Sequence, residues 1–181
     1  MKHLYFIRHG LSEANIASAW GGQINTPLAP EGHEQAKKAG IEAAKQGLKF
    51  DIIISSPLDR AKHTAHHIAY AVGYPFKDIQ VLDILTERAF GELEGTTNTE
   101  ATDMYITHGE AGIDTYKGVE QYADLKGRTD LALAQLRARP EDVVLVVGHG
   151  AFARSLRRSI EGIPLDQHVD PYPNAKIFKL I

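Results

Sequence analysis

The sequence contains no cysteine among its 181 residues. This absence excludes disulfide bonds, thiol nucleophiles and metal sites built from thiolates. Long hydrophobic runs are also missing. The mostly apolar N-terminal stretch, residues 1–7, ends at Arg8 and is too short for a signal peptide or a membrane-spanning helix. We therefore expect a cytoplasmic protein with no membrane partner.

The sequence has little net charge, −3 at neutral pH from 23 acidic and 20 basic side chains. So mild a balance gives no reason to expect nucleic acid as a partner. What is present suits a globular protein, because 43% of the residues are hydrophobic and no internal repeat or flexible linker interrupts them. The length predicts a single domain over residues 1–181 and leaves open a monomer or a homodimer.

Three short apolar runs predict strands that are buried on both faces, as in a parallel sheet. They cover residues 4–7, 52–54 and 143–147, and weaker strand patterns cover 79–85 and 175–181.

Apolar residues at helical spacing predict helices between these strands, over residues 31–46, 57–72 and 119–138. Alternating strands and helices favour an α/β fold with right-handed crossovers, a three-layer α/β/α sandwich with a mostly parallel central sheet. The segment 91–118 breaks the pattern with five glycines and many threonines. A stretch of this kind is usually functional, so we predict a small cap or lid there, with a short helix near residues 100–108.

In open α/β sheets, ligands bind beyond the carboxyl ends of the strands. The residues that follow each predicted strand are therefore candidates for a site. Two arginines, two histidines and a carboxylate stand at these positions: Arg8, His9, Arg60, Glu87 and His149.

This combination of residue types predicts phosphoryl transfer. The planar guanidinium groups of Arg8 and Arg60 match phosphate oxygens, and positive neighbours keep His9 in its neutral, nucleophilic form. Glu87 can protonate the departing alkoxide and then activate a water molecule. The helix after Gly150 can add backbone N–H donors for an anion.

Three further histidines, His63, His66 and His67, have the spacing of metal ligands on one helical face. The apolar stripe of the same helix faces the core, which places His63 and His67 on the opposite, solvated side. We therefore favour a solvated face over a metal site. The basic run Arg154, Arg157 and Arg158 is interpreted in the same way as a charged helix surface, with Arg154 in a buried ion pair.

Several sequence blocks resemble the histidine phosphatase superfamily, which also contains the cofactor-dependent phosphoglycerate mutases. They are RHGLSEAN at 8–15, TPLAPEG at 26–32, SSPLDRA at 55–61, ERAFGELEG at 87–95 and GHG at 148–150. Three positions depart from the family pattern, among them Gln121, which stands where a serine is frequent. Leu11 replaces a residue that is usually polar, which predicts a less polar pocket wall, and Ala29 replaces a common threonine, which predicts a missing helix cap.

The resemblance implies a phosphoglycerate mutase-like fold and roles for individual residues. His9 is the expected phosphorylated nucleophile, Glu87 the proton donor, and no metal or organic cofactor is expected. The expected partner is a small phosphorylated substrate. Six residues are predicted to bind this substrate. They are Arg8, Asn15, Gln23, Arg60, His149 and Gly150.

The stretch after the fourth block bears on the acceptor of the phosphoryl group. The mutases carry a lysine there that helps to hold the substrate carboxylate, whereas residues 95–98 read GTTN. Phe90 and Glu94 also resemble the phosphatase side of the family. We therefore favour a phosphatase for a small phosphomonoester, with a phosphoglycerate mutase as the alternative. A non-catalytic phospholigand-binding protein is a second alternative, which the presence of both histidines and Glu87 disfavours.

Two segments are expected to line the mouth of the predicted pocket, the loop 20–23 and the segment 91–118. Four side chains in the latter are candidates for substrate contact or for ordinary surface positions: Tyr105, His108, Tyr116 and Lys117.

Overall fold

A computed structural model of the protein describes residues 1–165 and 167–181. Its strands are β1 (His3–Arg8), β2 (Ile52–Ser55), β3 (Gln80–Val81), β4 (Val143–Gly148) and β5 (Ile177–Lys179). They form one sheet in the order β3-β2-β4-β1-β5. The pairs β1–β4, β2–β4 and β2–β3 are parallel, and β5 runs antiparallel to β1. The predicted mostly parallel sheet is confirmed.

The α-helices are α1 (Glu13–Ile16), α2 (Pro30–Lys45), α3 (Asp59–Val72), α4 (Thr99–His108), α5 (Tyr122–Arg137) and α6 (Gly150–Glu161). The helices predicted over 31–46, 57–72, 100–108 and 119–138 are thus confirmed to within three residues at each end. Ala29 caps α2 without a side-chain hydrogen bond, as the loss of the family's threonine predicts.

Two weaker strand predictions were too long. The range 79–85 contains only the two-residue β3, followed by a 3-10 turn over Asp83–Leu85. Both β3 residues are exposed at the edge of the sheet, whereas Leu85 in the turn is fully buried. The range 175–181 contains only β5. After β3 the chain leaves the sheet in the turn that buries Leu85, whereas after β5 the N–H of Leu180 still donates to the carbonyl oxygen of Leu4 at 2.7 Å.

Helices cover both faces of the sheet. Phe6 and Val146 lie on the face that packs against α5 and α6, in a core that includes Leu125 and Phe152. Successive strand residues point to opposite faces, so Ile7 and its neighbours pack against α3 in a second core. Helix α2 packs on α3, where a Cβ on Gly40 would lie 2.8 Å from that of Ala71. The predicted three-layer α/β/α sandwich is confirmed.

The histidines of α3 are placed differently from the sequence prediction. His63 and His67 are half-buried rather than solvated, because His33 of α2 packs against them. Nδ1 of His33 and Nε2 of His67 share a hydrogen bond of 2.9 Å. Within residues 1–165 and 167–181, no three histidine, aspartate or glutamate side chains are placed to hold a metal ion together.

The segment 91–118 contains α4 between two 3-10 turns, Gly91–Leu93 and Glu110–Ile113. Ala101 and Ile113 within it are fully buried in the core that also holds α5 and α6. No helix in the described part of the chain has the length and apolar character needed to cross a membrane.

Candidate active site

The sheet topology brings the predicted residues to one edge. In the parallel pairing, Arg8 is opposite Gly148 and Ser55 is opposite Val147, so β1, β2 and β4 end side by side. A cavity of about 250 Å³ lies there, as expected for an open α/β sheet. The predicted residues that line it are Arg8, His9, Asn15, Arg60, Glu87 and Gly150.

His9 is held in one orientation by its own backbone neighbour. Its Nδ1 lies 2.6 Å from the carbonyl oxygen of Gly10. A carbonyl can only accept, so Nδ1 carries the ring proton and donates it to this bond. The lone pair is therefore on Nε2, the atom that a nucleophilic imidazole uses.

The electrostatic surroundings favour the neutral imidazole of His9. Burial lowers the pKa of His9 well below its usual value, and the neighbouring His149, Arg60 and Arg8 side chains lower it further. The ring is 4% exposed, so access to it runs through the cavity. His9 is thus neutral even in mildly acidic solution.

The backbone around His9 is fixed by contacts that only small residues allow. A Cβ on Gly10 would lie 2.3 Å from the carbonyl oxygen of Gly32, which excludes any side chain there. The N–H of Gly10 donates to Oγ1 of Thr64 at 3.1 Å, and Nδ2 of Asn174 donates to the carbonyl oxygen of His9 at 2.7 Å. Such contacts preorganise the nucleophile before a substrate arrives.

Both guanidinium groups are anchored by backbone carbonyls. Arg60 donates from Nη1 to the carbonyl oxygen of Ile24 at 2.7 Å and from Nη2 to that of Gly22 at 2.6 Å. Arg8 donates from Nη1 to the carbonyl oxygen of Tyr172 at 3.1 Å. Each guanidinium carries five N–H groups, so donors remain for the oxygens of a phosphoryl group.

His149 is fully buried beside His9, and the two ring centroids are 5.2 Å apart. Oγ of Ser56 accepts from the N–H of Leu58 at 3.4 Å, which leaves its own proton for Nε2 of His149 at 2.6 Å. Burial, followed by Arg60 and Arg8, lowers the pKa of His149 well below its usual value. With Nε2 accepting this bond, the single N–H proton of the neutral ring is on Nδ1. Nδ1 has no hydrogen-bond partner among the described residues. That orphaned donor suits an anionic oxygen.

Glu87 lies at the cavity with both carboxylate oxygens engaged. Oε1 accepts from the N–H groups of Arg88 at 2.9 Å and Phe152 at 3.0 Å, and Oε2 accepts from that of Ala151 at 3.1 Å. Burial by itself would raise the pKa of Glu87, but these backbone donors outweigh it and lower the pKa. Without substrate, Glu87 is therefore ionised.

These contacts change one sequence prediction. The N-terminus of α6, which begins at Gly150, was expected to bind the substrate anion. Instead, the N–H groups of Ala151 and Phe152 bind the Glu87 carboxylate. The helix end thus stabilises the negative charge of an acidic side chain of the protein. A Cβ on Gly150 would touch the guanidinium of Arg8 at 3.4 Å, so the glycine keeps room for that group.

Arg128 of α5 supports the segment that carries Glu87. Its Nη1 donates to the carbonyl oxygens of Ile84 at 2.9 Å and Thr86 at 2.6 Å, and it forms an ion pair with Glu120 at 2.8 Å. The irregular backbone after β3 therefore has charged hydrogen-bond partners in place of a sheet neighbour.

Of the other predicted residues, Asn15 lines the cavity, whereas His149, Gln23 and Leu11 are not among its lining residues. Asn15 lines the cavity, and its Oδ1 accepts from the N–H and the hydroxyl of Ser12, both at 3.1 Å, which leaves its amide donors available. Gln23 is exposed and does not line the cavity; its Nε2 donates to the carbonyl oxygen of Glu87 at 3.0 Å. Leu11 does not line the cavity either, so it does not make the pocket wall less polar.

Other lining residues were missed or undervalued at the sequence level. Arg154 forms a buried ion pair, as predicted, with Glu110. It lines the cavity and does not lie on the charged helix surface that was predicted for residues 154–158. A signal for it was present, because Arg154 follows Gly150 by four residues and so shares its face of α6. Ser12 and Phe90 also line the cavity and stand within the family-like blocks, whereas Thr102 had no such signal.

Arg154 is embedded in a buried polar group. Its Nε donates to Oε1 of Glu110 at 2.5 Å, and its Nη2 donates to the hydroxyl of Tyr105. Burial raises the pKa of Glu110 to about 8, and burial lowers the pKa of Arg154 to about 10. Of the four side chains proposed for the mouth, Tyr105 lines the cavity, whereas His108, Tyr116 and Lys117 do not.

The model of one protein family, the histidine phosphatase superfamily (branch 1), matches residues 4–180. A curated relative, the 2,3-bisphosphoglycerate-dependent phosphoglycerate mutase of Brucella melitensis biotype 2, is 32% identical over 175 residues, which cover 91% of this chain and 84% of the relative.

Solved structures show the same fold. A mycobacterial glucosyl-3-phosphoglycerate phosphatase in complex with VO3 has a TM-score of 0.81 and 25% identity over 99% of this chain and 92% of its own. A putative alpha-ribazole-5'-P phosphatase from Escherichia coli also has a TM-score of 0.81 and 25% identity, over 99% of this chain and 90% of its own. The family model matches nearly the whole chain, and the fold and the neighbouring His9 and His149 agree with it. The chain therefore belongs to the histidine phosphatase superfamily.

Proposed function

We propose that this protein is a phosphatase that hydrolyses a small phosphomonoester through a covalent phosphohistidine on His9. The observation that carries the proposal is the fixed tautomer of His9. With Nδ1 bonded to Gly10, the lone pair on Nε2 is available in a cavity that also holds the guanidinium groups of Arg8 and Arg60. The match to phosphatases of the same fold supports the same conclusion.

In the first step, Nε2 of His9 attacks phosphorus and the bond from phosphorus to the alcohol oxygen breaks. The departing oxygen takes a proton from the carboxyl group of Glu87. Arg8, Arg60 and the Nδ1–H of His149 stabilise the charge on the equatorial oxygens, which is the main requirement of phosphoryl transfer.

In the second step, a water molecule attacks the phosphoryl group on His9. Glu87, now ionised, accepts a proton from that water, and the phosphorus–nitrogen bond breaks. Inorganic phosphate leaves, and the lone pair returns to Nε2 of His9. His9 is then neutral again, and Glu87 returns to its ionised state by passing its proton to the departing phosphate or to solvent.

The proton on Glu87 has to come from the substrate or from solvent, because three backbone donors keep the free carboxylate ionised. The second pKa of a phosphomonoester is about 6, so in mildly acidic solution the substrate arrives as a monoanion that carries one proton. That proton can pass to Glu87 once the phosphoryl group is bound by the arginines. The cycle therefore favours mildly acidic conditions, in which His9 is still neutral.

A phosphoglycerate mutase is the second candidate, because the curated relative has that name and spans most of the chain. The two activities share the phosphohistidine and differ in the acceptor. The stretch 95–98 carries no lysine, and its Thr96 uses its carbonyl oxygen for the N–H of Trp20 at 2.9 Å and its hydroxyl for the carbonyl of Leu93 at 2.7 Å. The absence of a lysine from this turn supports transfer to water.

The two candidates are separated by supplying 3-phosphoglycerate together with 2,3-bisphosphoglycerate. We expect inorganic phosphate to accumulate and 2-phosphoglycerate to stay below about one tenth of it. The reason is that no lysine at that turn holds the carboxylate of a phosphoglycerate acceptor. Both products are measured in one time course by phosphate detection and by coupling to enolase. Rapid formation of 2-phosphoglycerate without phosphate release would instead favour the mutase.

Several sequence predictions stay proposals. They are the single domain over residues 1–181, the segment 91–118 as a cap, the cytoplasmic location, and a small phosphorylated molecule, not nucleic acid or membrane, as the partner. Gln23 is proposed to act through the backbone of Glu87, since its side chain bonds there.

A further inference from the structure

Arg154 is a third cation at the cavity, and the phosphoryl chemistry above does not use it. It lies one turn into α6, lines the cavity and has 14% of its side-chain surface exposed. The same helix holds Glu87, because the N–H groups of Ala151 and Phe152 in its first turn donate to the Glu87 carboxylate. Glu87 protonates the departing alcohol oxygen, so Arg154 is close to the alcohol side of a bound phosphomonoester.

Two neighbours fix the guanidinium of Arg154 but do not saturate it. Nε donates to Glu110 and Nη2 to the hydroxyl of Tyr105, whereas Nη1 has no hydrogen-bond partner among the described residues. Because the side chain lines the cavity and is 14% exposed, the donors of Nη1 are within reach of a ligand there. Two of its N–H groups are therefore free to bind a ligand.

Glu110 is itself held in place. Its carbonyl oxygen accepts from Nη1 of the fully buried Arg88 at 2.6 Å, and its side chain is 7% exposed. Arg88 is also bonded to Asp114 and, through Nε, to the carbonyl oxygen of Glu120 at 2.8 Å. The Glu110 side chain that positions Arg154 thus belongs to a buried network and does not depend on a mobile surface side chain.

The same side of the cavity offers aromatic surface. The ring of Trp20 packs edge-on against Phe90 at 4.9 Å and against Tyr105 at 5.6 Å between centroids, and all three residues line the cavity. This side therefore presents carbon surface and one cation with free donors. A carboxylate at the end of a short carbon chain matches both features.

We propose that Arg154 binds a carboxylate on the alcohol portion of the substrate, and that the protein selects phosphorylated hydroxy acids over neutral phosphomonoesters. Glu110 acts as a positioning residue for Arg154. This inference rests on the proposed phosphatase function and adds to it the class of substrate and the residue that recognises it.

The test compares 3-phosphoglycerate with glycerol 3-phosphate, which has a hydroxymethyl group in place of the carboxylate. Phosphate release from each gives two values of kcat/KM for the wild type and for Arg154→Gln, Arg154→Lys and Glu110→Gln. The matched control is Arg157→Gln, on the same helix but paired with Glu161 outside the cavity. p-Nitrophenyl phosphate serves as a third substrate without a carboxylate.

We expect the wild type to prefer 3-phosphoglycerate by about 10- to 100-fold, the usual range for a charged hydrogen bond. Arg154→Gln reduces this ratio to about 1, Arg154→Lys retains part of it, and Glu110→Gln lowers it mainly through a higher KM for 3-phosphoglycerate. Arg157→Gln leaves the ratio at the wild-type value.

Two outcomes would overturn the inference while the proposed function stands. They are a wild type that hydrolyses p-nitrophenyl phosphate but does not prefer 3-phosphoglycerate, and an Arg154→Gln variant that loses activity on both glycerol-based substrates in the same proportion. If the folded wild type releases phosphate from none of the three substrates, the phosphatase proposal fails and the inference fails with it.

Discussion

The His9→Ala variant is expected to lose phosphate release from p-nitrophenyl phosphate almost completely, with kcat lower by at least about 10⁴-fold, as for other removed nucleophiles. The physical reason is that Nε2 of His9 forms the covalent bond to phosphorus, and no other side chain at the cavity can replace it. His149 is the nearest alternative, but its Nε2 is bonded to Ser56. Initial rates at mildly acidic pH measure the effect.

A matched control for this variant is His168→Ala, since His168 is an exposed histidine outside the cavity. It should keep the wild-type rate. The melting temperature of His9→Ala should stay close to the wild-type value or rise, because a buried imidazole among positive charges is removed. If His9→Ala and the wild type release phosphate at equal rates, His9 is not the nucleophile.

The Glu87→Gln variant should show a loss that depends on the leaving group. For an alkyl phosphate such as glycerol 3-phosphate we expect the first step, release of the alcohol, to slow by about 10²- to 10⁴-fold, the usual contribution of a general acid. For p-nitrophenyl phosphate this first step should slow much less, because nitrophenolate leaves without a proton. Single-turnover release of the alcohol or phenol isolates this step from the later hydrolysis, in which Glu87 acts as base on both substrates.

The control for Glu87→Gln is Glu42→Gln, an exposed carboxylate on α2 far from the cavity, which should change neither rate. Glutamine keeps the shape of Glu87 but loses one acceptor for the N–H groups of Arg88, Ala151 and Phe152. A damaged scaffold would slow both substrates alike. Equal losses on the alkyl and the aryl phosphate would therefore argue against Glu87 as the acid.

Much of the site was predictable because strand ends in a parallel sheet have a fixed common edge. Continuous apolar runs located β1, β2 and β4, and the polar residues after them had to meet. This placed His9, Arg8 and His149 together without any knowledge of loops. Arg60 followed because it lies within the first turn of the helix after β2.

The remaining parts depend on contacts between distant loops, which periodicity does not encode. Glu87 follows a two-residue edge strand and is held by backbone donors of α6 and by Arg128. The link from Arg154 to Glu110 joins a helix to a 3-10 turn 44 residues earlier. The half-burial of His63 and His67 required the position of His33 on another helix.

The proposed hydrolysis depends most directly on a covalent phosphohistidine at residue 9. The decisive measurement mixes the protein with a ³²P-labelled phosphomonoester, quenches in alkali within the first turnovers, and locates the labelled residue by peptide mass spectrometry. We predict label on Nε2 of His9 that is stable in base, labile in acid, absent from His9→Ala and released as inorganic phosphate during a chase. A wild type that releases phosphate while carrying no such label, or equal labelling of His9→Ala, would contradict the account.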